Sequence, residues 1–129
     1  MAEGGRPKIL LVEDDELVRH TAIAVLEDAY AITAVADFSE ARTLLEEGCD
    51  FALLFTDIVL PGGGNGMQLG QIAKELCPDL PILYATGFYE ALNLGSAALH
   101  GPVLEKPYSP NQVRRQIGLL LDGTSGVLG

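Results

Sequence analysis

The chain reads Phe51-Ala52-Leu53-Leu54-Phe55-Thr56-Asp57 near its centre, an apolar run that ends in one carboxylate. Apolar residues on both faces are typical of a parallel strand that is covered by helices above and below. An earlier run ends in the same way, because Ile9-Leu10-Leu11-Val12 leads into Glu13-Asp14-Asp15-Glu16. Two such parallel strands would deliver their carboxylates to the same edge of one sheet.

Strand and helix patterns alternate along the rest of the chain. The predicted strands cover 8–12, 31–35, 51–56, 81–86 and 103–105, and helices are predicted from Glu16, after Asp37, from Met67 and from Pro110. A short helix is also expected at 89–94, where Asn93 interrupts the pattern. Five strands joined to helices by short connections favour an α/β fold, with an open parallel sheet and helices on both faces.

Composition limits the class of protein. The 129 residues are 48% hydrophobic and 20% charged, which predicts one folded domain at 6–123 with flexible termini at 1–5 and 124–129. A formal net charge of -10 argues against direct binding to nucleic acid or anionic lipid. No apolar run approaches the ~20 residues of a membrane span, and no secretory signal is evident, so a cytoplasmic location is expected.

The two cysteines, Cys49 and Cys77, stand alone in the sequence. One precedes a predicted strand and the other ends a predicted helix. Their spacing resembles neither a disulfide framework nor a zinc site. Buried or half-buried free thiols are therefore expected.

One edge of the predicted sheet collects the residues that could carry chemistry. Ligands of such folds bind beyond the carboxyl ends of the strands, where the sequence places Glu13, Asp14, Asp57, Thr86 and Lys106. Two carboxylates about 4 Å apart repel by roughly 4 kcal/mol at an effective dielectric near 20, so a cation is needed there. Oxygen ligands favour Mg²⁺, and with Lys106 and the Thr86 hydroxyl beside it, Asp57 is a candidate nucleophile toward a phosphoryl group.

Four motifs resemble, in order and spacing, the receiver domain of bacterial two-component response regulators. They are the acidic run after the first strand, Thr56-Asp57-Ile58-Val59-Leu60-Pro61, Ala85-Thr86-Gly87 and Glu105-Lys106-Pro107-Tyr108. Residues around Tyr84 and Leu104 look most like receiver domains of hybrid histidine kinases. The resemblance implies a flavodoxin-like, doubly wound five-stranded sheet of order 2-1-3-4-5.

The resemblance also implies a role for each site residue. Asp57 would be the phosphoryl acceptor, with Asp14 a direct Mg²⁺ ligand, Glu13 a ligand acting mainly through water and Val59 a ligand through its backbone carbonyl. Thr86 would be the switch hydroxyl, and Lys106 the lysine that precedes a cis proline. Such a domain catalyses its own phosphorylation and dephosphorylation as a signalling switch, and its donor is a histidine kinase or a histidine phosphotransfer protein. Asp15 and Glu16 are expected to favour the start of the first helix.

The sequence departs from this pattern at Val103, where the family usually has Tyr or Phe. The departure leaves a second possibility, a receiver-shaped adaptor that does not signal through phosphate. A third possibility is a flavin-binding electron carrier, which the acids after the first strand oppose by repelling the flavin phosphate. We expect no chemistry from His20 or His100. The run Gly62-Gly63-Gly64 lacks the Gly-Lys-Ser/Thr of a P-loop and predicts a flexible loop instead.

Overall fold

The structure is a computed structural model that describes residues 5–87 and 99–122. Its strands are β1 (Lys8–Val12), β2 (Ala31–Val35), β3 (Leu53–Asp57), β4 (Ile82–Thr86) and β5 (Val103–Glu105). Its helices are α1 (Glu16–Leu26), α2 (Phe38–Glu47), α3 (Gly66–Leu76) and α4 (Pro110–Asp122). The helix expected at 89–94 and most of the two terminal segments lie outside the described residues. Within the described ranges, no helix has the length and apolar character needed to cross a membrane.

The five strands form one parallel sheet in the order β2-β1-β3-β4-β5, which confirms the predicted fold class. Alternate residues of the central strands enter two separate cores. Leu10 and Leu54 pack on the face covered by α2 and α3, whereas Ile9 and Phe55 pack on the face covered by α1 and α4. Every residue of β3 is buried, as its uninterrupted apolar pattern predicts.

Two strands begin later than predicted. Residue Phe51 lies before β3, with its ring 5.5 Å from the Lys8 ammonium, because the pairing with β1 starts at Leu53. Strand β4 begins at Ile82. Its predicted first residue, Pro81, has no N–H to donate to a ladder and only accepts a hydrogen bond from Leu54.

Polar side chains begin the helices, as the sequence predicts for α1, α2 and α4. Asp15 accepts a hydrogen bond from the Val18 N–H, and Asp37 accepts one from the Glu40 N–H. Ser109 and Gln112 cap each other reciprocally at the start of α4. These contacts satisfy N–H groups that have no partner within their own helix.

The expectation of free thiols is wrong, because Cys49 and Cys77 form a disulfide. They are 28 residues apart in the sequence, yet their Cα atoms are only 5.7 Å apart. Strand β3 runs toward the carboxyl edge of the parallel sheet and α3 runs back along the sheet. The end of α3 therefore meets the segment that precedes β3. Sequence spacing alone does not reveal this return path.

Glycines set the connection between β3 and α3. Gly62 and Gly63 adopt positive φ angles of 96° and 101°, so this backbone conformation itself favours glycine. At Gly66, the first residue of α3, the N–H donates to the Ile58 carbonyl over 2.7 Å. A Cβ at Gly66 would lie 2.1 Å from the Asp57 carbonyl oxygen, so only glycine lets α3 begin this close to β3.

We expect Gly66→Ala to lower the free energy of unfolding by about 2–3 kcal/mol, because α3 must move away from the Asp57 backbone. Gly118→Ala is the matched control, since a Cβ at Gly118 in α4 has nothing within 4 Å. That control is expected to stabilise the protein by about 0.5–1 kcal/mol through helix propensity. Chemical denaturation of both variants measures the two effects. Equal stability of Gly66→Ala and the wild type would contradict the close approach.

Candidate functional site

The residues singled out from the sequence meet at the carboxyl edge of the sheet. Glu13 directly follows β1, Asp57 ends β3 and Thr86 ends β4. Lys106 follows β5, and its backbone N–H donates to the Thr86 carbonyl over 2.7 Å. The parallel sheet therefore brings together residues that are up to 93 positions apart in the sequence.

The Lys106 ammonium joins two of the carboxylates. Its Nζ donates to Glu13 Oε1 over 2.7 Å and to Asp57 Oδ2 over 2.9 Å. Both acids are almost inaccessible to solvent, with residue exposures of 3% for Glu13 and 8% for Asp57. Buried carboxylates need such partners, because an unpaired charge removed from water is costly.

The acidic cluster fits a hard divalent cation. Glu13, Asp14 and Asp57 each offer a carboxylate oxygen, and these oxygens all lie within 4.8 Å of one another. Asp14 is exposed, so the cluster is open to solvent on one side. Three ionised carboxylates against one ammonium leave a formal charge of about −2, which a divalent cation would neutralise. A ligand set of oxygens with room for water suits Mg²⁺.

Burial raises the proton affinity of the Asp57 carboxyl. Desolvation raises the pKa of the Asp57 carboxyl from its ordinary value of 3.8 to about 6, against the hydrogen bond and attraction of Lys106. Repulsion from Glu13 and Asp14 raises this pKa further. Burial acts to lower the pKa of Lys106, but its bonds to Glu13 and Asp57 outweigh burial and raise it. At neutral pH the Asp57 carboxyl is thus largely ionised and the lysine charged.

Two further residues from the sequence analysis lie at the same edge. The Thr86 hydroxyl is fully buried and has no hydrogen-bond partner among the described residues. A buried hydroxyl of this kind is available to a ligand oxygen. Val59 lies two residues beyond Asp57 and is 55% exposed. Neither His20 nor His100 belongs to the site, since both are exposed elsewhere.

Two residues that support the site, Arg19 and Tyr108, were given no role in the sequence analysis. Arg19 Nη1 donates to the Glu13 carbonyl over 2.9 Å and to the Asp14 carbonyl over 3.4 Å, which fixes the acidic turn. Tyr108 packs on Phe55 with ring centroids 5.8 Å apart. Burial and the charge of Glu13 raise the pKa of Tyr108 to about 12, so its hydroxyl stays protonated at neutral pH. The spacing of Arg19 one helical turn after Asp15 is the signal that could have identified it.

An aromatic residue is present beside Val103, but on the neighbouring strand. Tyr84 of β4 pairs with Val103 of β5 and is fully buried. Its hydroxyl accepts a hydrogen bond from the His100 N–H over 3.2 Å. Gly70 of α3 makes room for this hydroxyl, because a Cβ there would lie 2.2 Å from it. The ring therefore has a fixed place in the core.

A sequence model of the response regulator receiver domain matches residues 9–118. The chain is 38% identical over 117 residues to the response regulator receiver protein CpdR of Brucella abortus (strain 2308), covering 88% of this chain and 96% of that protein. It is 29% identical over 123 residues to the sensor kinase CckA of the same strain, covering 92% of this chain but only 13% of the kinase.

Solved structures of receiver domains also resemble this chain. A response regulator receiver protein from Sinorhizobium medicae WSM419 superposes with a TM-score of 0.84 at 26% identity, over 93% of this chain and 98% of that one. The receiver domain of the hybrid histidine kinase CckA superposes with a TM-score of 0.74 at 27% identity, over 88% and 98%. The chain is thus similar to CpdR over almost the whole length of that protein, and also to the receiver domain of a hybrid histidine kinase.

Proposed function

This chain belongs to the response regulator receiver domain family of two-component systems, and we propose that it accepts a phosphoryl group on Asp57. The donor is a phosphohistidine of a histidine kinase or of a histidine phosphotransfer protein. The observation that carries the proposal is the Lys106 ammonium bonded to both Glu13 and Asp57 at the strand ends. In this proposal the domain is a cytoplasmic switch that promotes its own phosphorylation and dephosphorylation.

Transfer requires a free carboxylate and a place for negative charge. An Asp57 oxygen attacks phosphorus, the new P–O bond forms as the P–N bond of phosphohistidine breaks, and the leaving imidazole keeps the bonding electron pair and takes up a proton. Asp57 is the nucleophile, and because its carboxyl is largely ionised at neutral pH, no general base has to deprotonate it. Lys106 donates to an oxygen of the transferred group, and the unpartnered Thr86 hydroxyl supplies a second donor. The added phosphoryl charge then changes the loops that follow the strands.

Magnesium is the proposed cofactor. Glu13, Asp14, Asp57 and the backbone carbonyl of Val59 would hold it, with Glu13 acting mainly through water. When bound, the ion neutralises charge on the acids and on the phosphoryl oxygens. The oxygen-only donor set and the solvent-exposed carboxylate of Asp14 support this assignment.

Intact mass measurement tests the acceptor function. The wild type is incubated with acetyl phosphate and Mg²⁺, and the mass of one phosphoryl group is expected to appear and then decay. Asp57→Asn should remain unmodified under the same conditions. An unmodified wild type, or an adduct that persists in Asp57→Asn, would contradict the proposal.

A protein donor needs a surface beside Asp57, and the groove between α1 and α4 offers one. The groove has a volume of about 290 Å³ and is lined mainly by apolar side chains, together with Lys106 of the site. Leu17 lines it and is 76% exposed, so the groove presents an apolar side chain to solvent close to Lys106. A donor that covers Leu17 would bury apolar area next to the acceptor.

We expect Leu17→Ala to slow transfer from a phosphorylated histidine protein about tenfold, from the lost apolar burial. Transfer from acetyl phosphate should be unchanged, because that donor is too small to use the groove. Leu119→Ala is the control, since Leu119 is also exposed but does not line the groove. The transfer rates of Leu17→Ala and the wild type are measured with both donors. Equal slowing with acetyl phosphate would show that the substitution impairs the acceptor site itself and would contradict a docking role for the groove.

A receiver-shaped adaptor is the second candidate, and Val103 is the observation that favours it. Val103 is half-buried against the core cluster of β4 and α3, in a position where the family usually has an aromatic residue. An adaptor would not need Mg²⁺. Calorimetric titration discriminates the two candidates, because Mg²⁺ binding that is lost in Asp14→Asn supports the phosphorylated switch, whereas no binding supports the adaptor.

A further inference from the structure

The disulfide lies at the end of the sheet opposite the phosphorylation site. Cys49 belongs to the segment between α2 and β3, and Cys77 follows α3, with its N–H donating to the Ala73 carbonyl. Their bond closes a loop that contains β3, Asp57 and the whole of α3. Within this loop, the Gly66 N–H donates to the carbonyl of Ile58, the residue after Asp57, over 2.7 Å. The bond therefore constrains the unit that carries the acceptor.

The two cysteine residues differ in their exposure to solvent. Cys49 is exposed, whereas Cys77 is only 5% exposed and packs in the core beside α3. A soluble thiol or disulfide can thus reach Cys49 first, and the buried Cys77 can complete the exchange. Cys49 Sγ also lies 3.3 Å from the Leu76 carbonyl oxygen, which could accept a hydrogen bond from the reduced thiol. Both the oxidised and the reduced states therefore have a suitable place in the fold.

We propose that Cys49 and Cys77 form a reversible redox pair that sets the rigidity of the β3–α3 unit. The oxidant is a low-molecular-weight disulfide such as glutathione disulfide. The Cys49 thiolate attacks it, releasing one glutathione, and the Cys77 thiolate then displaces the second, so two protein thiols lose two protons and two electrons. Stable disulfides are uncommon in the cytoplasm, and those that occur in mesophiles are usually catalytic or redox-sensing. A redox role thus fits the proposed location better than a permanent cross-link.

The full chain is equilibrated in buffers with increasing ratios of glutathione disulfide to glutathione. Free thiols are then alkylated, and the intact mass is measured by mass spectrometry. We expect one reversible transition between the dithiol and the disulfide, and a melting temperature roughly 10–20 °C higher for the oxidised form, given the length of the closed loop. Cys49→Ser/Cys77→Ser should show no redox dependence. Two alkylated thiols in the most oxidising buffer, a bond that excess glutathione does not reduce, or equal melting temperatures would each overturn the proposal.

The single variants test the order of the exchange. With glutathione disulfide, Cys77→Ser should keep a glutathione adduct on the exposed Cys49, whereas Cys49→Ser should react much more slowly at the buried Cys77. Equal reaction of the two variants would contradict the assigned roles. Circular dichroism of each variant shows whether it is folded, and rapid reaction of Cys77 counts against the proposal only in a folded sample.

Discussion

Asp57→Asn is expected to raise the free energy of unfolding by about 3 kcal/mol near pH 8 when Mg²⁺ is removed by a chelator. The fold raises the pKa of Asp57 from 3.8 to about 6, so ionising this buried carboxyl costs stability. Asparagine has nearly the same shape, and its amide oxygen can still accept from Lys106. Chemical denaturation of the two proteins measures the difference.

The pH dependence of this effect has a definite sign. Because the folded pKa is the higher one, the folded state binds more protons than the unfolded state between about pH 4 and 6, and the Asp57 contribution falls as pH rises through that window. The advantage of Asp57→Asn should therefore shrink to about 1 kcal/mol near pH 4.5. Asp28→Asn is the control, since Asp28 is exposed. An advantage for Asp57→Asn that is the same at both pH values would contradict the burial of an ionised Asp57.

Lys106→Met is expected to slow phosphorylation by acetyl phosphate about 10²- to 10³-fold with Mg²⁺ present, the typical loss when one preorganised donor to a developing charge is removed. The variant also leaves the buried carboxylates of Glu13 and Asp57 without the ammonium that both contact. We therefore expect a loss of stability of about 3 kcal/mol near neutral pH, decreasing in acid as the carboxyls take up protons.

Stopped-flow or mass-based kinetics measure the rate, and Arg115→Met is a control for the loss of one positive charge, since Arg115 is exposed on α4. Lys106→Arg keeps the charge with a different shape and should lie between the wild type and Lys106→Met. A phosphorylation rate of Lys106→Met equal to that of Arg115→Met would show that Lys106 does not assist the transfer step.

Much of the fold is predictable because the local signals and the packing agree. β1, β2 and β5 have the predicted bounds, since each apolar run coincides with its ladder to a neighbour. The run from Phe51 contains two more residues than β3, and only the pairing with β1 shows where the ladder begins. Apolar periodicity reports burial, and Phe51 is partly buried without belonging to the strand.

The candidate site is predictable for a different reason. Strand-end positions of parallel strands converge at one edge, so the sequence alone predicts that Glu13, Asp57 and Lys106 come together. The spacing after Asp15 places Arg19 on the first turn of α1, but its contacts with two backbone carbonyls also depend on the path of the turn after β1. The disulfide likewise depends on where α3 ends relative to β3, a tertiary relation that is invisible in the spacing of Cys49 and Cys77.

Val103 shows what the resemblance could not predict. The family pattern indicates a missing aromatic residue in β5, but it does not indicate that Tyr84 on the adjacent strand fills the neighbouring core. The room for Tyr84 comes from Gly70, and its hydroxyl partner comes from the backbone of His100. Such three-way packing depends on α3, β4 and the segment before β5 at once.

Chemical trapping of the phosphorylated residue is the most direct test of the acceptor. Borohydride reduces an acyl phosphate of aspartate to homoserine, and peptide mass spectrometry then locates the change. After phosphorylation with acetyl phosphate and Mg²⁺, we expect homoserine at position 57 and unmodified residues at Glu13 and Asp14. A reduced residue at Glu13 or Asp14, or unmodified Asp57 in a protein that carries a phosphoryl group, would contradict the central claim.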